Sequence, residues 1–461
     1  MAKGLTSNID MTKGTPWKQI VRFTLPMLIG NIAQQLYSTV DTIVVGNYAS
    51  NGDDCIAAVG SALPILNMLL VLFIGISAGA SVMVAQYFGA KNRKALSYTV
   101  GNCLTATAIA CVGLILIAAP FIRQILVLLN TPPEILQWCY EYLMISLIGI
   151  AGMAYYNILS GILRGLGDSF SALVYLLIAT VINIALDIWF VAGLKMDVAG
   201  VALATVIAQL ISSILCIIKL ARMKEHFDFG AKYLKPKSGY IKTLVKLGLP
   251  SGLTQAIIAS AMITVQALTN QFGEQFIAAN VIIMRVDGFA MMPNFSFGMA
   301  LTTYAGQNVG AGRYDRVMKG AKQGTLMAVA CSTIITTVIL FFGKYLMGVF
   351  TETTELVELA SNLMMILAAG YIAMAVTQSL SGIMRGAGDT LTPMWISLIT
   401  TVIVRVPLAY GISYLTATPE LPIGRKECIQ ISLLCSWIMG ALLTVLFYRI
   451  GGWKKKSIKQ A

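Results

Sequence analysis

The chain has 461 residues, 57% of them hydrophobic and only 11% charged, whereas a soluble globular domain carries roughly 25% charged residues. Its net charge of +13 would suit a nucleic-acid binder only if the basic residues gathered on a water-exposed domain, and no stretch is long and polar enough to be one. A soluble enzyme and a nucleic-acid-binding protein are excluded, and lipid is the expected solvent.

In chain order, the polar N-terminus from Met1 to Lys18 lacks the apolar core and cleavage site of a secretory signal, so the first apolar run is expected to remain as a span. A crossing needs about 20 mostly apolar residues. Breaks at charged or Gly-, Pro- and Asn-rich points then predict spans over 20–47, 56–84, 97–118, 133–157, 170–194, 198–220, 243–271, 276–304, 322–346, 356–380, 393–414 and 429–449. The loop with Lys91, Arg93 and Lys94, the stretch from Arg222 to Lys242, the loop with Arg313, Arg316, Lys319 and Lys322, and the tail with Lys454, Lys455 and Lys456 all fall on one side. By the positive-inside rule that side is cytoplasmic, with both termini inside, as expected of a multi-pass protein of a bacterial plasma membrane. The opposite loops carry Asp53, Asp54, Glu274, Glu352, Glu355 and Glu358.

An internal repeat organises these spans. SGILRGLGDS at Ser160–Ser169 returns as SGIMRGAGDT at Ser381–Thr390, and the same offset aligns Gln86, Gly89 and Ala90 with Gln307, Gly310 and Ala311. FTLP ending at Pro26 pairs with LGLP ending at Pro250 at a similar offset. Matches in the same order mark a duplication. The expected fold is an all-α polytopic membrane protein, with twelve transmembrane helices as two six-helix repeats related by a pseudo-two-fold axis along the membrane normal. Such repeats are an alternating-access architecture. The expected division is a six-helix bundle over 1–221, a cationic linker over 222–242 read as a solvated tether, and a second bundle with a basic tail over 243–461. Pro26 and Pro250 lie early in spans one and seven, where a proline either starts a helix or bends it as a hinge.

Ionisable groups inside spans cost about 2.5 to 3.5 kcal/mol each on insertion scales and mark pathways or relays. Asp41, Asp187, Arg285, Asp287 and Arg405 qualify. At 1.5 Å of rise per residue, Asp187 lies about 25 Å up span five, Asp41 near the outer end of span one, and Thr205 about 10 Å down span six, so the three share a depth. Asn183 stands four residues before Asp187 and therefore on the same helix face. Two carboxylates with an amide and a hydroxyl in a poorly hydrated pocket suit H⁺ binding, since desolvation and like-charge repulsion both raise a carboxylate pKa. The same oxygens suit Na⁺. The bland alternative is that Asn183 and Asp187 only bond neighbouring helices.

In the second half Asp287 and Arg405 are the expected pair, either a structural ion pair or a gating and substrate group. Arg285 lies two residues from Asp287 and does not share its helix face. At the aligned positions Asp41 meets Val265 or a neighbour, and Asp187 meets Leu408. Met284, Met291 and Met292 are candidates to line an adaptable apolar cavity, although lipid-facing or core packing is the commoner role of methionine.

There is no G-x-x-x-x-G-K-[ST], so no nucleotide-hydrolysing engine lies in this chain. The only histidine is His226, in the linker, and the eight cysteines are scattered without C-x-x-C spacing. No metal and no organic cofactor is expected. GQNVGAG after span eight reads as the punctuation of a helix end.

With these residues in view the sequence resembles the multidrug and toxic compound extrusion (MATE) family over essentially its full length. The resemblance rests on Leu25-Pro26, VDTIVVG around Asp41, QYFGAKN and GQNVGAG after spans two and eight, the paired LRGLGD and MRGAGD, and LPSG at Leu249–Gly252. It implies a secondary exporter of bulky cationic amphiphiles driven by inward H⁺ or Na⁺, working as a monomer among membrane lipids and without an ATPase subunit. It implies a cation-coupling role for Asp41, Asn183, Asp187 and Thr205, and substrate-cavity roles for Tyr142, Asn157 and Gln34. Residues near Ile258 and Met374 are apolar, unlike the branch with coupling acids in spans seven and ten, so a first-half site is expected. The competing expectation is a flippase for lipid-linked saccharides in the same wider superfamily, which should carry more cavity arginines and extra spans.

Overall fold

The computed structural model describes residues 9–49 and 52–458, without the side chains of 36–39, 41, 42 and 53. Among the described residues there are helices and turns and no strand, as a bilayer demands of a chain that does not close a barrel. Spans 1 to 3 begin with the helices Pro16–Tyr48, Gly52–Gly89 and Arg93–Ala118. Span 4 is Pro133–Ile148 with Ile150–Gly165, span 5 is Ser169–Asp187 running into a π-helical turn Ile188–Gly193, and span 6 is Asp197–Arg222. Spans 7 to 9 are Ser238–Thr269, Glu274–Gly310 and Tyr314–Gly348. Span 10 is Thr354–Ala368 with Gly370–Gly386, and span 11 joins Leu391–Ser397, a π-helical stretch Leu398–Arg405 and Val406–Leu415. Span 12 is Cys428–Ile450.

Nine of these, or eleven when each bent pair counts once, are long and apolar enough to cross a membrane among the described residues. Span 1, which carries Lys18, Arg22 and Asp41, is the remaining helix. Several helices outrun the expected bounds; span 8, for example, continues from 304 to Gly310. The sharp bends are not at the prolines. Spans 4 and 10 turn by 51° and 46° at the joins after Ile148 and Ala368, beside glycines whose neighbours leave no room for a side chain: Gly149 abuts the Val206 side chain, and Gly370 the ring of Trp437. Pro26 and Pro250 lie inside unbroken helices, so neither is a helix-start proline.

The helices pack as two compact units, Met1–Asp10 with Leu25–Gly252, and Met11–Thr24 with Leu253–Ala461. In this partition the first turns of spans 1 and 7 each pack in a different unit from the rest of the helix. Small residues account for the span 7 portion. Gly75 and Gly79 of span 2 meet Gly248 and Gly252 of span 7, and a Cβ on Gly75 would come 2.8 Å from the Gly248 carbonyl oxygen. These paired small-xxx-small stripes bring two helix backbones into contact, the main source of helix affinity in lipid.

The duplication is visible in the packing of each unit. In the first, Gly161 and Gly165 of span 4 lie on Ser77 and Ser81 of span 2. In the second, Gly382 and Gly386 of span 10 lie on Gly298 and Thr302 of span 8 at the same spacing, and a Cβ on Gly382 would run into the Gly298 carbonyl. Each GD motif then ends one helix and starts the next. Gly167 and Gly388 take φ of 88° and 99°, a left-handed conformation cheap only for glycine. Asp168 accepts from the Ser171 amide at 2.9 Å, and Asp389 from the Thr392 amide at 3.2 Å, as N-cap residues do.

The linker is docked rather than a solvated tether. Arg93 donates to Asp228 at 2.7 Å, a contact that holds this exposed carboxyl below its ordinary pKa. Asn102 accepts from the Lys237 amide at 2.6 Å and donates to the Tyr233 carbonyl at 3.3 Å. Tyr240 stacks on Tyr98 with centroids 5.7 Å apart. In the second unit GQNVGAG does more than punctuate. Gln307 accepts from the Met11 amide at 2.9 Å, while Asn308 and Arg316 each donate to the Met11 carbonyl at 3.1 Å, and Met11 is wholly buried.

Candidate functional site

Span 5 is apolar along most of its length, and its last turn places Asn183 and Asp187 on one face, both 0% exposed. Thr205 of span 6 stands opposite, half-buried, and its hydroxyl oxygen accepts from the Asn183 amide at 3.4 Å. Asn183, on the Asp187 face of span 5, is thereby linked to Thr205 of span 6. Asp41 lies in the span 1 helix, but its side chain is outside the described residues. Immediately after Asp187 the helix widens into the π-turn Ile188–Gly193, a departure from α geometry that often accompanies functional sites.

A carboxylate so enclosed cannot be solvated by bulk water. It must be neutralised by a proton or held by donors and cations. The Asn183 amide and the Thr205 hydroxyl offer oxygen atoms suited to a hard cation such as Na⁺, which prefers oxygen ligands. The same enclosure also suits a proton on Asp187. The donor set thus fits either ion.

The other first-half candidates are spread along spans 1 and 4. Gln34 is exposed on span 1, and Tyr142 is buried in the first segment of span 4. Asn157, in the second segment, donates its amide to the Met153 carbonyl at 2.8 Å, and its own carbonyl accepts from the Ser77 hydroxyl at 2.6 Å. Its side chain braces its own helix, while its backbone ties span 4 to span 2.

In the second unit Asp287 and Arg405 do not form a direct ion pair. Asp287 instead accepts from the Tyr371 hydroxyl at 2.9 Å, although Arg405 is near enough for the two charges to act on each other. Tyr371, fully buried on span 10 with its ring 5.6 Å from that of Trp437, escaped the sequence reading. The available signal was a hydroxyl-bearing ring among the apolar residues of span 10. Arg405 closes the π-helical stretch of span 11, and its Nε is buried without a hydrogen-bond partner. Arg285 is exposed. Met284 is 45% exposed one turn from Asp287, whereas Met291 and Met292 are core residues. A second unforeseen cluster lies deeper: the Asn294 amide donates to the Tyr371 carbonyl at 3.2 Å, and its oxygen accepts from Ser332 at 2.7 Å.

Twelve spans, an internal duplication and ionisable groups buried at helix-geometry breaks define a polytopic α-helical membrane protein of transporter architecture. The MatE family profile matches residues 26–189 and again 250–411, and the chain belongs to the MatE family. The two matches open on Pro26 and Pro250. The chain is similar to the probable multidrug resistance protein YoeA of Bacillus subtilis (strain 168), at 29% identity over 97% of this chain and 96% of YoeA. It is also similar to the probable multidrug resistance protein YpnP of the same organism, at 28% identity over 97% of this chain and 98% of YpnP. A crystal structure of a MATE in complex with MaL6 shares the fold, with a TM-score of 0.89, 22% identity, and coverage of 98% of this chain and 100% of that one.

Proposed function

We propose that this protein is a secondary active multidrug exporter of the plasma membrane, with both termini cytoplasmic, antiporting cationic and amphiphilic organic compounds against inward H⁺ or Na⁺. The observation that carries the reading is the wholly buried Asp187, with Asn183 on its helix face and Thr205 within reach of Asn183. Full-length relatives named as multidrug resistance proteins supply the substrate class. Asp41 completes the cation site in this proposal, and Gln34, Tyr142, Asn157, Met284, Asp287 and Arg405 line the substrate path. Ion binding neutralises the carboxylates and lowers affinity for a cationic substrate, which couples the two fluxes. Pro26 and Pro250 act as hinges, because each lies within a few residues of the point where its helix passes from one compact unit to the other. Lipid surrounds the spans, and the working form is a monomer.

Ethidium efflux from proteoliposomes under an imposed pH gradient, compared with an imposed Na⁺ gradient, tests the proposal. Efflux driven by one of the two gradients is the expected result. Absence of efflux under both would overturn the reading.

A further inference from the structure

We propose that the Arg405 end of the π-helical stretch in span 11 is a carboxylate subsite, and that with Asp287 it recognises zwitterionic amphiphiles, which carry a carboxylate beside their positive charge. The inference rests on the exporter reading and names the chemistry of one part of its substrate path.

Arginine inside a lipid-embedded bundle is costly unless its donors are used, and a guanidinium has five of them in a planar fork. Here Nε is buried without a partner, and among the described residues the group makes neither a hydrogen bond nor a direct ion pair. Asp287 is near, but one of its oxygens is taken by the Tyr371 hydroxyl at 2.9 Å. The two charges thus act on each other without a direct contact. A structural ion pair would have closed, because a direct fork-to-carboxylate contact is the strongest arrangement open to the two groups.

The position is also partly exposed. Asp287 and Arg405 are both half-buried, and Met284 on the Asp287 face of span 8 is 45% exposed. On that same stripe, seven residues before Asp287, Asn280 accepts from the Gln430 amide at 3.3 Å, while the Gln430 oxygen is buried without a partner. The Tyr371 hydroxyl contacts the acid, and the Tyr371 ring lies 5.6 Å from that of Trp437. An unspent guanidinium, a partly committed acid and a flexible thioether within one unit are suited to an aromatic zwitterion. Its carboxylate takes the Arg405 fork, and its cationic end lies towards Asp287.

The test compares a free-acid rhodamine, zwitterionic at neutral pH, with its methyl ester, which keeps the cation and loses the carboxylate. Binding of each dye to the purified full-length protein is read by fluorescence anisotropy, and efflux is read separately in proteoliposomes. Arg405→Gln is expected to lower the acid-to-ester affinity ratio about tenfold, with partial recovery in Arg405→Lys, because a lysine keeps the charge but not the fork. Asp287→Asn should weaken both dyes and leave their ratio unchanged. An acid-to-ester ratio that is the same in wild type, Arg405→Gln and Arg405→Lys overturns the subsite, as does a wild type that binds neither dye. A ratio that shifts in binding while neither dye is exported supports the subsite and overturns the exporter reading instead. Should Arg405→Gln fail to fold, Arg405→Lys carries the comparison alone.

Discussion

The two halves keep the same joints but bury different polar groups. In the first, span 5 ends with Asn183 and Asp187; at the repeat spacing the second half has Val404 and Leu408. Conversely, Asp287, Asn294, Tyr371 and Arg405 of the second half stand against Leu66, Phe73, Ile150 and Ile184 of the first. The glycines that bring spans 2 and 4, and spans 8 and 10, together are retained in both halves, as are the aspartates that cap spans 5 and 11. A joint tolerates little change, because a single methyl group strains a backbone contact. A buried polar cluster is replaceable as a whole by apolar residues of similar size, since only a half-removed cluster leaves groups unpaired. Duplication therefore preserves the scaffold and lets each half specialise.

The largest effect that would break this comparison concerns the two aspartates of the span 5 and span 11 helices that differ in role. Asp187→Asn should lower ion-driven ethidium efflux at least tenfold, because it removes the titratable and charged form of the buried group. Asp389→Asn, which alters only a helix cap, should stay within about twofold, because caps are worth only ~1 kcal/mol. Equal losses in proteoliposome efflux would mean that the halves are not divided as the buried residues suggest.

The joints give the next largest effect. Gly382→Ala places a methyl group on the Gly298 carbonyl, and Gly161→Ala places one on the Ser77 hydroxyl and carbonyl. Overpacking of this kind costs about 1–3 kcal/mol. Gly382→Ala should be the worse of the two, because a backbone carbonyl cannot rotate away as a serine hydroxyl can. Thermal unfolding in detergent measures both. If Gly161→Ala proves the more destabilising, span 2 is the stiffer partner and the order of the halves is reversed.

Much of this was legible in the sequence. Lipid forces backbone hydrogen bonding within helices, so apolar runs and charged breaks located all twelve spans. The paired RGLGD and RGAGD motifs located the joints, the i, i+4 spacing put Asn183 on the Asp187 face, and depth counting set Thr205 level with Asp187. What escaped was set by contacts at long range. Tyr371 meets Asp287 across 84 residues, and Met11 meets Gln307 across 296. Neither leaves a local pattern. Docking of the linker was hidden for a similar reason, since its lysines read as a solvated charge run while Tyr233 and Tyr240 do the packing. The bends after Ile148 and Ala368 escaped because single glycines are frequent in membrane helices, and only the bulk of Val206 or Trp437 opposite makes these two special.

A smaller difference separates the two capping aspartates in stability. Asp168 is nearly fully buried and has the Lys219 ammonium 3.3 Å away, whereas span 12 offers Gly440 at the corresponding spacing. Lys219 is 27% exposed, so water screens part of the attraction, and the extra cost of Asp168→Asn over Asp389→Asn should be only about 1 kcal/mol. Lys219→Met should remove that difference in a double-mutant cycle. A difference that survives the methionine would place its origin in the cap itself.

The smallest effect concerns the turns after spans 2 and 8. In each, the amide of the residue at positive φ bonds the carbonyl three back, and the next amide bonds the carbonyl five back. Lys91 bonds Phe88 at 3.0 Å and Asn92 bonds Tyr87 at 3.1 Å; Gly312 bonds Val309 at 3.0 Å and Arg313 bonds Asn308 at 2.8 Å. This is the Schellman ending, which favours glycine at the left-handed residue. The second half obliges with Gly312 at φ 70°, while the first puts Lys91 there at φ 54°. A side chain in that conformation costs about 1–2 kcal/mol, and glycine returns part of this through the greater freedom of its unfolded chain, about 0.4–1 kcal/mol. Lys91→Gly should therefore stabilise the protein by about 0.5–1 kcal/mol, and Gly312→Ala should destabilise it by a similar amount, both read as shifts in thermal unfolding. Because Lys91 is exposed, lost packing should not mask the gain. A Lys91→Gly protein that unfolds earlier than the wild type would show that the lysine side chain contributes more to this turn than its backbone strain costs.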